Sequence, residues 1–446
     1  MRRLHPQDSG EPAAATRAAP VAARTMLHEL ARELDPQEVA AIERAGSPEL
    51  PPGAVSAPFP PAGARRSLGR GVPTIPQPPR GPAHLAPPPP VRKGRGARSN
   101  PAGRFETLLS HAFDDGWETL AADFAALPPL ATTTLRDASR TAIAWNRSPD
   151  VDFDRSVNPY RGCEHGCIYC YARPSHATLG FSPGLDFESR IVFKPEIAHL
   201  LERQLRRPGY TARPIALGAN TDPYQPLERT LTLTRAVLEV LQRFNHPVII
   251  TTKSAGVLRD LDILRDMAGR RLACVNISLT TLDPALARTM EPRAAAPHRR
   301  LQAIEQLAAA GVPVSVLAAP MIPGLNDTEL ERILAAAAKA GARGAGYILL
   351  RLPHELKTLF TEWLETHYPD RAAHVLSLIR ETRAGALNET KFGQRHSGTG
   401  PYADLLARRF LQAARGNGLT ERIGLDCTRF AVPAEADAER AQMSLF

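Results

Sequence analysis

The sequence lacks the features that would direct it to a membrane or make it a disulfide-stabilised protein. No run among its 446 residues approaches the roughly 18–20 apolar residues of a membrane helix. The N-terminus has no apolar segment typical of a secretory signal. Only five cysteines occur, three of them within eight residues, a spacing that does not suit a disulfide framework. We therefore expect a cytoplasmic protein without a membrane partner.

Acidic residues are scarce only at one end of the chain. Residues 1–104 contain 15 Lys and Arg against 8 Asp and Glu, which leaves a net charge of +2 for the rest of a chain whose total is +9. The same segment holds 20 of the 42 prolines and has almost no periodic apolar residues to offset the entropy of ordering. It is predicted to be a mostly disordered tail with one helical candidate at 25–45. Any nucleic-acid binding that depends on net charge should reside there.

From residue 153 onward, short apolar or β-branched runs alternate with amphipathic stretches of helical period. The strand candidates are 153–159, 214–219, 247–252, 273–279, 313–317 and 346–350. The helix candidates are 196–206, 229–244, 257–267, 297–310, 328–340 and 356–366. Six such βα units predict an α/β fold with a parallel sheet covered on both faces, closing as a partial (β/α)6 barrel. A doubly wound open sheet is the alternative.

The pattern divides the chain into four regions. The tail at 1–104 is followed by a pre-barrel segment at 105–150, with short helices at 107–113 and 117–127. The barrel itself is expected at 151–352. A C-terminal helical extension at 353–446 should contain helices near 372–383 and 402–415. Ligands of parallel βα folds bind at the C-terminal ends of the strands, so polar residues at those ends are the first candidates for a site.

The strongest motif follows the first predicted strand. It reads Asn158-Pro-Tyr-Arg-Gly-Cys163-Glu-His-Gly-Cys167-Ile-Tyr-Cys170-Tyr-Ala-Arg. Three thiolates from one loop can hold an iron–sulfur cluster and leave one iron free to bind a cofactor or substrate. Two alternatives remain open: a zinc site completed by His165 or His176, and a cluster that only carries electrons.

This motif resembles the signature of the radical S-adenosylmethionine (radical SAM) superfamily, Cys-x3-Cys-x2-Cys with an aromatic residue before the last cysteine. Its wider context, from Lys93-Gly-Arg-Gly-Ala to about residue 430, is similar to the spore photoproduct lyase-like branch, also described as DNA repair photolyase-like. The resemblance implies a radical SAM barrel, with a [4Fe–4S] cluster held by Cys163, Cys167 and Cys170 and with S-adenosylmethionine as cofactor. It also implies reductive cleavage of that cofactor to a 5′-deoxyadenosyl radical, which abstracts hydrogen from a substrate.

The resemblance leaves the partners less defined than the chemistry. The substrate is unidentified, with DNA and RNA as candidates. An electron donor such as flavodoxin or ferredoxin is implied, and we expect a monomer. A zinc-stabilised adaptor that binds nucleic acid without catalysis is the alternative function.

Eight residues at or near strand ends match positions with which the family holds its cofactor: Tyr169, Asn220, Thr221, Asp222, Ser278, Arg293, Pro323 and Gly324. Other interpretations stay open for several of them. Tyr169 could instead be a core aromatic, and Asp222 could cap an Asp-Pro turn. Arg293 could be a solvated arginine, with Arg299 or Arg300 supplying the fork that a carboxylate prefers.

Lys253 and Glu291 are the catalytic candidates. Lys253 follows a buried apolar run, where an unpaired ammonium is costly, so we expect it to meet the substrate, the cofactor carboxylate or Glu291. The glycine-rich basic stretch 391–402 could contact a phosphate or be a plain loop, and because it lacks a phosphate-loop pattern we favour the loop.

The distribution of cysteines limits how far the resemblance extends. Spore photoproduct lyase relies on a hydrogen-donating cysteine in the first half of its barrel, and this chain has none between Cys170 and Cys274. Cys274 is expected to be inert packing. Cys427 could substitute only if the C-terminal segment folds back over the barrel. We therefore do not expect thymine-dimer repair by the same route.

Overall fold

The structure, a computed structural model, describes residues 92–105 and 130–434. The predicted tail and the helix candidates at 25–45, 107–113 and 117–127 lie outside the described residues. The strands in chain order are β1 (Thr133–Arg136), β2 (Ile143–Trp145), β3 (Arg155–Val157), β4 (Tyr160–Arg161), β5 (Arg190–Phe193), β6 (Ile215–Leu217), β7 (Val248–Thr252), β8 (Ala273–Ser278), β9 (Val314–Met321) and β10 (Gly344–Leu349).

Seven of these strands form one sheet in the order β10-β9-β8-β7-β6-β3-β2. Strands β3, β6, β7, β8, β9 and β10 pair in parallel, and β2 pairs antiparallel with β3. The six predicted parallel strands are confirmed, although the first is shorter than the run 153–159. Because the parallel strands follow chain order without a reversal, the sheet winds as a partial barrel and the doubly wound alternative is wrong.

Helices follow the strands as the alternation predicts. They are α1 (Leu185–Ser189), α2 (Ile197–Leu205), α3 (Glu228–Leu231), α4 (Leu233–Arg243), α5 (Leu261–Gly269), α6 (Pro284–Met290), α7 (Pro297–Ala309), α8 (Leu330–Lys339), α9 (Leu356–His367), α10 (Pro369–Glu381) and α11 (Pro401–Gly416).

Two predicted helices differ from the structure at their beginnings. The candidate at 229–244 is interrupted at Thr232, whose φ of 50° is left-handed. The Glu228 carboxylate accepts from Thr234 N across this break, so a side chain replaces a helical hydrogen bond. The candidate at 257–267 begins as a 3-10 turn at Ala255–Asp260, capped by Ser254.

Strand β8 shows how the sheet separates its two faces. Ala273, Val275 and Ile277 are fully buried in the core formed with the helices, and each larger side chain contributes roughly 1.5–3 kcal/mol by burial. Cys274, Asn276 and Ser278 alternate with them on the opposite face. The predicted shared face of these three residues is therefore present.

A loop between α10 and α11 joins the two edges of the large sheet. Leu349 N, at the end of β10, donates to His396 O at 2.9 Å. Gly393 N donates to Asp150 Oδ1, in the loop between β2 and β3, at 2.6 Å. We call residues 393–396 the closing loop, because it connects the first and last parts of the barrel. The other three strands form a second sheet in the order β1-β5-β4. No helix within the described ranges has the length and apolar character needed to cross a membrane.

Candidate functional site

The three predicted ligand cysteines lie in one loop between β4 and a 3-10 turn at Arg173–Leu179. Cys163 and Cys167 are buried, and Cys170 is partly buried. Backbone hydrogen bonds fix the loop at both ends: Cys163 N donates to Phe187 O at 2.9 Å, and Cys170 N donates to Cys167 O at 3.2 Å. The loop therefore presents its thiols from a defined backbone.

Two glycines give this loop its path. Gly162 and Gly166 have φ angles of 81° and 68°, in the left-handed region that favours glycine. A Cβ would lie 2.9 Å from Phe187 O at Gly162 and 2.8 Å from Glu188 Oε2 at Gly166. Both turns thus need glycine for conformation and for space.

The thiols are in an environment that disfavours their charged form. Burial raises the pKa of Cys163 well above its ordinary value, and the nearby charge of Asp222 raises it further. Burial also raises the pKa of Cys167; Glu291 raises it further and Lys253 lowers it. Both thiols are therefore protonated at neutral pH unless a cation binds them and displaces the protons.

A buried ion pair lies directly behind the cysteine loop. The side chains of Arg173 and Glu188 are fully withdrawn from solvent and bonded to each other. Arg173 uses all five of its N–H groups. Besides Glu188, its acceptors are the carbonyl oxygens of Gly166, Cys167, Pro183 and Gly184. The backbone at positions 166 and 167 is thus anchored to a satisfied buried charge.

Residues 95–97, which we call the strap, cover the other side of Glu188. Gly96 N and Ala97 N donate to the Glu188 carboxylate at 2.9 and 2.7 Å, and Arg95 donates to the Glu188 carbonyl oxygen. A Cβ on Gly96 would overlap the Gly166 carbonyl oxygen. The strap therefore packs against the cysteine loop, backbone against backbone.

Asp222 connects two strand ends to the cysteine loop. Its carboxylate accepts from Thr252 Oγ1 and Lys253 N, both at 2.7 Å, and lies 3.3 Å from His165 Nδ1. It also accepts from Tyr224 N, as in the predicted Asp-Pro turn. Burial alone would raise the pKa of Asp222, but His165 and the hydrogen bonds outweigh burial and lower it to about 2. The carboxylate is charged and oriented at neutral pH.

Tyr169 lies between the two predicted catalytic residues. Lys253 Nζ is 5.7 Å from the centroid of its ring, a cation–π distance. Its hydroxyl donates to Glu291 and lies 3.3 Å from Thr280 Oγ1. Glu291 forms its ion pair with Arg300, not with Lys253. In the described part of the chain, the Lys253 ammonium therefore has no carboxylate partner, whereas Glu291 is fully engaged.

Comparison with known proteins places this loop in a recognised domain. A family model described as the radical SAM superfamily matches residues 157–337, which include the three cysteines and the strands from β6 to β9. An uncharacterized protein of Mycobacterium tuberculosis is 36% identical over 242 residues, covering 53% of this chain and 71% of that protein. The chain belongs to the radical SAM superfamily. A more distant relative, an uncharacterized protein of Methanocaldococcus jannaschii, is 27% identical over 39% of this chain and 62% of that protein.

Solved structures similar to this radical SAM enzyme include spore photoproduct lyase complexed with dinucleoside spore photoproduct. That chain is 15% identical, with a TM-score of 0.46, and the match covers 64% of this chain and 79% of that one. A mutant of spore photoproduct lyase is 19% identical with a TM-score of 0.44, over 64% of this chain and 78% of that one.

The radical SAM superfamily implies S-adenosylmethionine and an iron–sulfur cluster, and the donor set suits the cluster. Three thiols share one loop, and thiolates from cysteine are the usual ligands of iron–sulfur clusters. No three His, Cys, Asp or Glu side chains in residues 92–105 and 130–434 converge tightly enough to hold a single ion.

Three of the predicted cofactor residues lie at the strand ends around the loop. Thr221 and Ser278 are buried, and their hydroxyls donate to the carbonyl oxygens of Tyr160 and Ala319 at 2.9 and 3.1 Å. Each hydroxyl oxygen keeps lone pairs that can accept a hydrogen bond. Asn220 is partly buried in the same turn as Thr221.

Arg293 is close to the loop, and Pro323 and Gly324 lie in the segment that follows β9. Arg293 N donates to His165 O at 3.2 Å, and its guanidinium lies 3.1 Å from the Glu164 carboxylate. Gly324 N donates to Asp327 Oδ1 at 2.9 Å, and a Cβ there would meet helix α10. The neighbouring Ile322 and Leu325 belong to the same apolar cluster as Cys167 and Tyr169.

Several residues at the site were not identified from the sequence. The buried ion pair of Arg173 and Glu188, which we call the brace, joins residues 15 apart in sequence and has no motif that marks it. Gln225 is another case: its side chain accepts from Glu164 N and donates to Gly162 O. Arg351 is different. It directly follows the apolar run that ends in β10, the same signal that identified Lys253.

Proposed function

We propose that this enzyme binds a [4Fe–4S] cluster through Cys163, Cys167 and Cys170 and cleaves S-adenosylmethionine reductively. The proposal is carried by one observation: a single braced loop delivers three thiols inside the region that matches the radical SAM family. When bound, the cluster and S-adenosylmethionine supply the 5′-deoxyadenosyl radical that abstracts hydrogen from a substrate.

The residues of this chain would bind and orient the cofactor. Asp222 is charged, and Asn220, Thr221 and Ser278 offer oxygens at the strand ends, so we assign these four residues to the cofactor amine and ribose. Tyr169 is assigned to the adenine.

Two assignments to the cofactor have less support. Arg293, beside the loop, is assigned to a carboxylate, although it also faces Glu164. Pro323 and Gly324 remain assigned to adenine contacts on the resemblance alone.

Lys253 and Glu291 receive different roles. The Lys253 ammonium, near Tyr169 and without a carboxylate partner in the described residues, is available to the reacting groups. Glu291 is a positioning residue, because Tyr169, Thr280 and Arg300 occupy its oxygens.

The partners follow from the same proposal. The substrate is unidentified, and DNA and RNA are the classes to test first, by asking which macromolecule acquires deuterium from labelled 5′-deoxyadenosine or gives it up. We expect a flavodoxin or ferredoxin as electron donor, a monomer on size-exclusion chromatography, and a location in the cytoplasm.

Anaerobic reconstitution tests the proposal. We expect about four irons and four sulfides per chain, visible absorption that dithionite bleaches, and release of 5′-deoxyadenosine from S-adenosylmethionine. Replacing Cys163, Cys167 or Cys170 by Ala should abolish all three signals. Cys427→Ser, at a half-buried cysteine outside the loop, should leave them unchanged.

Other outcomes would favour the alternatives. Tightly bound zinc without release of 5′-deoxyadenosine would support a zinc-stabilised adaptor, with His165 or His176 as the fourth ligand. A redox-active cluster that is indifferent to S-adenosylmethionine would support an electron carrier.

A further inference from the structure

Arg351 is an arginine whose surroundings do not satisfy it. It follows the last residue of β10 by two positions and is partly buried. Its guanidinium donates to His396 Nε2 at 3.2 Å, and its Nε is buried without a hydrogen-bond partner. Within residues 92–105 and 130–434, no carboxylate forms an ion pair with it. A partly desolvated guanidinium in this state is costly unless something else completes it.

The groups around Arg351 add positive charge. Arg395, in the closing loop, is mostly buried and pairs with Asp150. Arg383 is 1% exposed and spends both terminal nitrogens on backbone carbonyl oxygens of β10 and the closing loop, leaving its Nε without a partner. Across the described residues, Asp150 is the one carboxylate in ion-pair contact with any of these three arginines. Three guanidinium groups therefore have one carboxylate in direct ion-pair contact, and Glu389 acts on Arg383 only electrostatically.

The neighbouring groups respond to this excess. Burial lowers the pKa of Arg351, and the charge of Arg395 lowers it further. Burial and then Arg351 lower the pKa of Arg383 to about 10. Burial, Arg351 and Arg395 together lower the pKa of His396 to about 4. Because a guanidinium only donates, His396 Nε2 must accept, which fixes the neutral tautomer with the proton on Nδ1. His396 thus does not add to the repulsion.

The arginines lie on the reaction side of the barrel. Arg351 stands at the C-terminal end of β10, the end at which βα barrels bind ligands. Tyr171, the residue after Cys170, interacts electrostatically with both Arg351 and Arg395. Its hydroxyl donates to Ala219 O at the end of β6. Arg351 therefore stands at the C-terminal end of the parallel strands, the same end at which Tyr171 contacts the turn after β6.

We propose that Arg351, with Arg395 and His396, binds a phosphate group carried by the substrate. A planar guanidinium matches two phosphate oxygens at once, and the unpartnered Arg351 Nε can contribute to such a fork. The assignment of the ligand as a substrate rests on the proposed function, whereas the anion site itself does not. The closing loop, for which the sequence favoured a plain loop over phosphate contact, is part of the site.

Phosphate binding can be measured on the full chain without any turnover. Thermal unfolding is followed while inorganic phosphate replaces chloride at constant ionic strength, and the dissociation constant is obtained from the rise in Tm. We expect Arg351→Gln to weaken phosphate binding about tenfold or more, as loss of a charge-assisted fork predicts. Arg351→Lys keeps the charge without the fork, so its affinity for phosphate should lie between those of the wild type and of Arg351→Gln.

The matched control lies at the other end of the same strand. Arg343 precedes β10 and forms an exposed ion pair with Glu421, so Arg343→Gln should bind phosphate as the wild type does. Equal phosphate affinity in the wild type and in both Arg351 variants would overturn the proposal. So would an Arg351→Gln variant that loses S-adenosylmethionine affinity, or changes only the spectrum of the cluster, while phosphate binding is retained.

Two competition arms identify the source of the phosphate. Displacement by a dinucleotide with only an internal phosphodiester would assign the site to a polymer backbone. Displacement by a nucleoside 5′-monophosphate alone would assign it to a small phosphate ester. Repeating the titration on the Cys163→Ala chain separates the proposals: phosphate binding without a cluster leaves this site standing even if the radical chemistry fails.

Discussion

Arg173 is fully buried and Arg351 is partly buried, yet only Arg173 has a protein acceptor for each of its N–H groups. Arg173 has an acceptor for each of its five N–H groups, including the buried carboxylate of Glu188. Arg351 has one hydrogen bond, to a histidine, and a second arginine as a neighbour. The difference separates two kinds of buried charge: one that holds the loop in place, and one that requires a ligand.

The largest effect should come from breaking the completed arginine. Arg173→Gln leaves the buried Glu188 carboxylate without its ion-pair partner, so the free energy of unfolding should fall by about 3–5 kcal/mol. Denaturant unfolding followed by circular dichroism measures this loss, and iron retained per chain should fall with it. Arg206→Gln removes an ion pair with both side chains 29% exposed and should cost at most about 1 kcal/mol. Equal losses in the two variants would contradict the distinction.

The buried His246 resembles Arg173 in that each of its polar side-chain atoms has a hydrogen-bond partner, but it is neutral. His246 is fully buried; its Nδ1 faces Pro247 O at 3.0 Å, and its Nε2 lies 2.8 Å from the Tyr210 hydroxyl. Since a carbonyl only accepts, Nδ1 carries the proton and Nε2 accepts from the tyrosine. Burial lowers the pKa of His246 to about 4.

Acid should therefore destabilise the fold through His246. Between pH 6.5 and 4 the unfolded chain binds a proton that the folded chain does not, so stability is lost as pH falls through this window. The loss approaches roughly 3 kcal/mol at pH 4. The difference in unfolding free energy between wild type and His246→Gln should shrink by this amount across the window. A pH-independent difference would show that His246 does not titrate as described.

A smaller effect is expected from the glycine at which the strap meets the cysteine loop. A Cβ on Gly96 overlaps the Gly166 carbonyl oxygen, so Gly96→Ala should cost about 1–3 kcal/mol and lower iron retention. Gly269, at the end of α5, has open space around it, and Gly269→Ala should be neutral or stabilising by up to about 1 kcal/mol. A Gly96→Ala chain with wild-type stability and iron content would refute the close packing.

The smallest effect should have the opposite sign. Arg351→Gln removes a partly desolvated charge beside Arg395, so without ligand the unfolding free energy should stay unchanged or rise by up to about 1 kcal/mol. Unfolding in phosphate-free buffer, with Arg343→Gln as control, measures it. A loss comparable to that of Arg173→Gln would mean that Arg351 is structural after all.

The sequence was sufficient for the barrel because most of the parallel strands are buried, largely apolar runs bounded by turns, β3 with its sequence Arg-Ser-Val being the exception. It was not sufficient for β1, whose four residues are all exposed, or for β4, which has only two. The cysteine loop was predictable because its ligand types and spacing are local. The contact of the strap with Glu188 was not, because Gly96 and Glu188 are 92 residues apart and only the folded chain brings them together.

Arg351 could have been found from the sequence. A charged residue directly after a buried strand run singled out Lys253, and the same rule applied to the run ending at Leu350 selects Arg351. What no local pattern shows is the missing partner. That requires knowing that Asp150 pairs with Arg395 instead.

The closing loop also has a consequence for the order in which the molecule is built. Gly393 and Asp150 are 243 residues apart. Their contact closes a long loop at a large cost in conformational entropy, so we expect it to form late in folding. Synthesis runs from the N-terminus, and the cysteine loop and all six parallel strands emerge before residue 393. The nascent barrel therefore has all of its parallel strands while this side is still uncovered, and α11 can pack against it only after the closing loop has been synthesised.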